Sequence, residues 1–227
     1  MTGTTRRLFL TGTAAVSLAA FGSIGCSPIT MAYFLFKGDG KKPATYPLEP
    51  VTKDRKDVRI VVMAANGPGM TWEFAGLDRD VASQMAKQLA EGTREEKHPI
   101  KVIRPDDVDR YKASHPNWRT MEPDQLAKEL GADYLIDVSI TGVGLYQQGT
   151  GNVVYEGWAT ADVVVYRAGQ KVAVHEYNHK SQMHPAAGDS LPAGQYKSQV
   201  IKRFATELAS RHMKHTEDSR KVAPLSQ

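Results

Sequence analysis

The sequence predicts an α/β (α+β) fold: one mixed sheet of about five strands covered by helices, with a C-terminal helix packed on the sheet. Three observations carry this expectation. Val58 to Ala64 is an apolar, β-branched run, the pattern of a strand buried on both faces. Leu77, Val81, Met85 and Leu89 recur every four residues, with Ala82, Ala86 and Ala90 beside them, as on one side of a helix. Val153 to Tyr166 and Lys171 to Lys180 flank Arg167-Ala168-Gly169-Gln170, which reads as a β-hairpin.

Taken in order, the first strand ends at Asn66-Gly67-Pro68-Gly69. The helix that follows carries Asp78 and Asp80 in its first turn, where carboxylates meet the positive end of the helix dipole, and Gly92 is placed to end it. A short strand at Ile100-Lys101-Val102-Ile103 precedes a helix opened by Arg104-Pro105-Asp106-Asp107, with Val108 and Tyr111 on one side. Pro123 suits the first turn of another helix, which carries Leu126 and Leu130 and stops at Gly131. Tyr134 to Ile140 is the next strand, and Tyr196, Val200, Phe204 and Leu208 mark a closing helix. The order is β-α-β-α-α-β-β-β-α. Crossovers make the first strands parallel, and the hairpin adds antiparallel ones.

Of the 227 residues, 41% are hydrophobic and 24% charged, the composition of an ordinary globular chain. The net charge of +4 invites a nucleic-acid reading, but Arg6 and Arg7 belong to a segment, 1–25, that contains no acids. Without those two arginines the charge is +2, and the remaining basic residues are mixed with acids, as in Lys53-Asp54-Arg55-Lys56-Asp57. Phosphate binding needs a one-signed stripe, so nucleic acid is not expected as a partner.

Residues 1–25 place Arg6 and Arg7 before an apolar stretch to Ala20 and small residues up to Cys26, the order of an export signal. Leu8 to Ala20 is broken by Thr11, Gly12, Thr13 and Ser17 and falls short of the ~20 apolar residues a bilayer needs. Cys26 is the only cysteine, so it makes no intrachain disulfide. Ser23-Ile24-Gly25-Cys26 resembles the lipobox of bacterial lipoproteins, with Ser23 where lipoboxes favour Leu. Thr5-Arg6-Arg7-Leu8-Phe9-Leu10 resembles the twin-arginine export motif. The resemblance implies a palmitate-type lipid on Cys26 and anchorage to a membrane of the cell envelope. Ser27 after the cysteine resembles the pattern of lipoproteins sent to the periplasmic face of the outer membrane. The expected organisation is a signal at 1–25, a lipidated tether at 26–56, a globular domain at 57–215 and a flexible tail at 216–227.

Leu126-Ala127-Lys128-Glu129-Leu130-Gly131-Ala132-Asp133-Tyr134 carries a second resemblance. A helix ending in this way before a long apolar strand is similar to the periplasmic lipoprotein domains of the curli-secretion and penicillin-binding-protein-activator type. The element order matches theirs over residues 57–213.

No catalytic constellation is expected. His175 and His179 share a strand face, but four residues at ~3.3 Å place them about 13 Å apart. Ligands held ~2.1 Å from one zinc cannot stand that far apart. His184 lies beyond the strand, and all three read as surface histidines. Gly142-Val143-Gly144 reads as part of a flexible hairpin loop, and no Gly-x-Ser-x-Gly elbow exists. The loop with Asn66, Gly67, Gly69, Trp72 and Phe74 joins a strand to a helix without the Lys-Ser/Thr of a phosphate loop. An aromatic-bearing loop of this kind is a contact surface for a partner. The expectation is therefore a non-enzymatic, lipid-anchored envelope protein without cofactor or metal, binding another protein or entering an assembly. The alternative is a small-ligand- or metal-binding periplasmic lipoprotein using that loop or the histidines.

Overall fold

Val58, Ile60, Val61 and Val62 are buried, and the strand they form, β1 (Val58–Asn66), is the middle of the parallel part of the sheet. The computed structural model describes residues 41–51, 55–94, 96–147, 149–151, 153–185 and 192–215. The expectations for Arg6, Arg7 and Cys26, for the tether up to residue 40 and for the tail at 216–227 lie outside the described residues.

After β1 come α1 (Leu77–Gly92), β2 (Ile100–Val102), α2 (Pro105–Ser114), α3 (Pro123–Glu129) and β3 (Tyr134–Tyr146). The chain continues through β4 (Tyr155–Arg167), β5 (Ala173–Met183) and α4 (Ala193–Ser210). The strands form one mixed sheet in the order β2-β1-β3-β4-β5. β1 runs parallel to β2 and β3, whereas β3, β4 and β5 are antiparallel to one another in turn. The expected fold class is the observed one, with α4 packed on the sheet.

Strand alternation then divides the core. Ile60, Val62, Ile136, Val138 and Val163 face one way, under Val81, Met85 and Leu89 of α1 and Phe204 and Leu208 of α4. Val61, Met63 and Leu135 face the other way, under Val108 of α2 and Leu126 and Ala127 of α3. The second helix of the β2–β3 connection stops where the sequence predicts. Gly131 takes φ +70°, Gly131 N–H bonds to Lys128 O at 3.0 Å, and Ala132 N–H bonds to Ala127 O at 2.9 Å. That pair of bonds is the Schellman arrangement that releases a helix into an extended chain. Asp133 then receives the Arg59 N–H at 2.9 Å and Arg55 Nη1 at 3.0 Å, docking the start of β3 onto β1.

Residues 41–51, assigned by sequence to the tether, pack on this domain. Lys42 and His215 exchange backbone hydrogen bonds of 2.8 and 3.1 Å, Tyr46 N–H bonds to Arg211 O at 2.7 Å, and Leu48 is buried in the main core. Gly92 behaves differently from its expected role as a cap. It is the last helical residue, and a Cβ there would stand 2.3 Å from Met213 Sδ, so the glycine admits the methionine.

The largest departure is at Gly142 and Gly144, read from sequence as a flexible loop. β3 runs straight through them to Tyr146, with register shifts between Ile140 and Gly142 and between Gly144 and Tyr146. Across the pair, Trp158 on β4 lies over the bare backbone: a Cβ on Gly142 would be 2.9 Å, and one on Gly144 2.5 Å, from indole atoms. Glycine in a strand marks close approach, and here the approaching group is a large aromatic ring. Gly144→Ala is expected to destabilise the protein by about 1–3 kcal/mol, the usual range for overpacking, and to expose the Trp158 ring. Denaturant unfolding together with tryptophan emission checks both effects.

Candidate functional site

β1 ends beside the middle of β3, with Asn66 opposite Ile140, while β3 runs on to Tyr146. In α/β sheets the loop that leaves the C-terminal end of a parallel strand is free to carry function, since the strand backbone ends there and the chain turns away from the sheet. The loop that leaves β1 is braced at both ends. Gly67 N–H bonds to Ile140 O at 2.8 Å, and a Cβ on Gly67 would itself fall 2.8 Å from that oxygen, so only glycine allows the approach. Gly69 turns the chain at φ +86°. Asn66 Nδ2 donates to Asp78 Oδ1 at 3.5 Å, while its buried Oδ1 has no hydrogen-bond partner among the described residues.

Beyond the turn, Trp72–Phe74 forms a single 3-10 turn, closed by Phe74 N–H to Thr71 O at 3.0 Å. The two aromatic residues of this turn part company. Phe74 is 5% exposed and joins the main core, whereas Trp72 is 90% exposed. The expectation that both belong to a contact surface is therefore corrected for Phe74, which anchors the loop. Lys197 on α4 reinforces the anchor, its ammonium lying 5.1 Å from the Phe74 ring centroid and donating to the Glu73 carbonyl.

The β3–β4 connection emerges at the same end of the sheet. Tyr146 and Tyr155 stack at 5.0 Å, and Tyr155 leans on Tyr196 of α4 at 4.8 Å. A hydrogen bond with Tyr155, desolvation and the nearby Tyr155 and Glu73 all raise the Tyr146 phenol above its ordinary value. In the same connection Val153 and Val154 are exposed. The exposed valines were not among the residues singled out from the sequence. An aliphatic pair directly before a strand looks like part of that strand, and only the start of β4 at Tyr155 leaves them outside it.

The histidines take different places. His179 is not a surface residue: it is buried against Phe204, and its Nε2 stands 3.2 Å from Glu207 Oε2. Arg203 Nε donates to the other oxygen of Glu207 at 2.9 Å. Burial alone would raise the Glu207 carboxyl, but hydrogen bonds from His179, Arg203 and Ser181 outweigh it and hold it below its ordinary value. This network ties β5 to α4. His175 is half-buried beside Tyr46, at 5.2 Å between rings, and His184 is exposed. Among the described residues no group of three or more His, Cys, Asp or Glu is arranged to hold a metal.

The site thus offers rigidly presented apolar groups at one end of the sheet. No known protein family and no curated protein matches the sequence. Solved structures of similar fold include the lipoprotein GNA1162 of Neisseria meningitidis, at 14% identity and a TM-score of 0.44, covering 65% of this chain and 98% of that one. The hypothetical protein CT253 of Chlamydia trachomatis is 10% identical with a TM-score of 0.43, covering 68% of this chain and 97% of that one. The PelC dodecamer of Paraburkholderia phytofirmans is 14% identical with a TM-score of 0.44, covering 71% and 90%. One of the three is named as a lipoprotein.

Proposed function

We propose that this chain is a non-enzymatic, lipid-anchored envelope protein whose domain binds a protein partner through the loop at residues 66–74. The observation that supports the reading is Trp72, an indole 90% exposed on a loop held by Gly67 and Phe74. A large apolar ring left in water loses the stabilisation that burial would bring, and rigid presentation lowers the entropy cost of docking. Tryptophan is also the side chain most enriched among residues that dominate interface energies. Anchorage is assigned to Cys26, with export directed by Arg6 and Arg7 and attachment at the periplasmic face of the outer membrane. No helix among the described residues is long and apolar enough to cross a membrane.

Two arms test the reading in one set of cells. Labelling with a palmitate analogue is expected to mark the wild-type chain and not Cys26→Ser; label retained by the variant removes the anchor. Crosslinking in the intact envelope is expected to give a discrete adduct that Trp72→Ala weakens about 30-fold, as for an interface hot spot of about 2 kcal/mol. The same substitution, being on the surface, should leave the unfolding free energy within ~0.5 kcal/mol. An adduct unchanged by Trp72→Ala would show that the loop is not the contact.

A further inference from the structure

A second opening lies on the face of the sheet opposite α1 and α4, in the half where α2 and α3 cover β1 and β3. It is a cleft of about 230 Å³, below the ~300 Å³ at which sites for drug-sized ligands begin. Its apolar wall comes from Met63, Leu135, Leu126, Met121 and Trp118. Its polar groups are Asp137, Ser139 and Arg119. Asp137 interrupts an otherwise buried run on β3, and its half-buried carboxylate accepts no hydrogen bond from any described residue. Burial raises its pKa, and the nearby Lys112 ammonium opposes the rise without forming an ion pair.

The opposite charge gathers at Trp118. Lys112 Nζ stands 4.7 Å and the Arg119 guanidinium 5.3 Å from the centre of the indole. Neither cation makes a salt bridge with a carboxylate among the described residues, where eight other basic side chains do. Lys112 also feels the carboxylates of Asp109 and Asp78, so the charges without an ion-pair partner that line the cleft are Asp137 and Arg119, of opposite sign. A half-buried carboxylate without a partner is costly to keep, and a ligand ammonium would relieve that cost. A simple cation meets the repulsion of Lys112 and Arg119, and a simple anion that of Asp137. A molecule with both charges and an apolar body satisfies every group.

From this complementarity we infer that the cleft binds a small zwitterion, an α-amino acid with an apolar side chain. Asp137 and Ser139, two residues apart on one face of β3, receive the ammonium. Arg119 meets the carboxylate, where its planar fork suits two parallel hydrogen bonds. Met63, Leu126 and Leu135 surround the side chain, with Met121 adapting to its shape. The inference stands apart from partner binding at Trp72, which lies on another loop.

Calorimetric titration of the full chain in mild detergent tests it, with L-leucine, L-methionine and L-phenylalanine at up to about 10 mM, enough to saturate a ~1 mM site. Leucinamide and N-acetyl-leucine, each lacking one charge, serve as controls. The expected result is saturable binding of at least one of the three amino acids, with both controls about tenfold weaker or worse. Asp137→Asn is expected to weaken binding by a similar factor, as is Arg119→Gln, whose exposed side chain leaves folding intact. Absence of saturation by all three amino acids overturns the inference. So does equal binding of either control, or binding unchanged in Arg119→Gln.

Discussion

Tyr196→Phe is expected to lower the unfolding free energy by about 2–4 kcal/mol, although it removes a single oxygen. Tyr196 is fully buried at the start of α4, and its hydroxyl is inserted between the ends of two strands. It accepts the Gly157 N–H at 2.7 Å and donates to Met183 O at 2.6 Å. Gly157 and Met183 are register partners on β4 and β5, so the phenol stands in for a rung of the sheet. Phenylalanine would fill the same space and leave a buried donor and a buried acceptor unpaired. Each such group costs roughly 1–3 kcal/mol, far more than the small net gain of making the bond. The geometry also needs Gly157, since a Cβ there would stand 2.3 Å from Val200 Cγ2. Chemical denaturation of wild type and variant measures the difference, and a change within ~0.5 kcal/mol would show that the phenol is dispensable.

The second large effect is acid sensitivity centred on His212. This side chain is buried where residues 41–51 cross the end of α4. Its Nδ1 lies 3.1 Å from Tyr46 O and its Nε2 2.9 Å from the Tyr177 hydroxyl. A neutral ring with the proton on Nδ1 satisfies both, donating to the carbonyl and accepting from the phenol. Tyr46 stacks on Tyr177 at 4.5 Å and closes the pocket from the other side. Burial pushes the His212 pKa down from 6.5 to about 4, opposed by the Tyr46 carbonyl and helped by His175 and Arg211. Between those values the unfolded chain takes up a proton that the folded chain does not. Stability from this group is thus complete above pH 6.5 and is lost as the pH falls to about 4. The shift corresponds to about 3 kcal/mol over that window. Unfolding followed from pH 7 to 4 should show the slope, and His212→Phe should flatten it while lowering stability at pH 7. A slope that persists unchanged in His212→Phe would assign the effect elsewhere. Glu207 is held below its ordinary value by hydrogen bonds from His179, Arg203 and Ser181 against the effect of burial, so its protonation also costs stability as the pH falls.

How much of this was legible depended on the reach of each signal. Leu77, Val81, Met85 and Leu89 announced α1 because a helix face is written every three or four residues. Gly131 announced the end of α3 because a cap is decided by its immediate neighbours. The glycines at 142 and 144 misled for the opposite reason. Nothing within several residues says that Trp158, on the next strand, will lie across them. Trp72 and Phe74 are two residues apart and look equivalent in sequence, yet the core has room for one ring and leaves the other in water. His179 reads as a surface residue until Glu207, 28 residues later, is brought against it by the docking of α4. Asp137 carried a signal that went unread: a lone carboxylate inside an apolar strand must be paired, neutralised or turned toward an opening.

The sequence by itself determined the order of strands and helices, the mixed character of the sheet and the loop at residues 66–74. These follow from backbone preferences and apolar periodicities that act over a few neighbouring residues. Only the tertiary structure decided that β1 sits between β2 and β3, that Trp72 projects while Phe74 anchors, and that residues 41–51 close over His212. It also brought Asp137 on β3 to the same cleft as Arg119. Such outcomes depend on which distant surfaces meet, because burial and hydrogen-bond satisfaction are properties of the packed chain and not of any short segment.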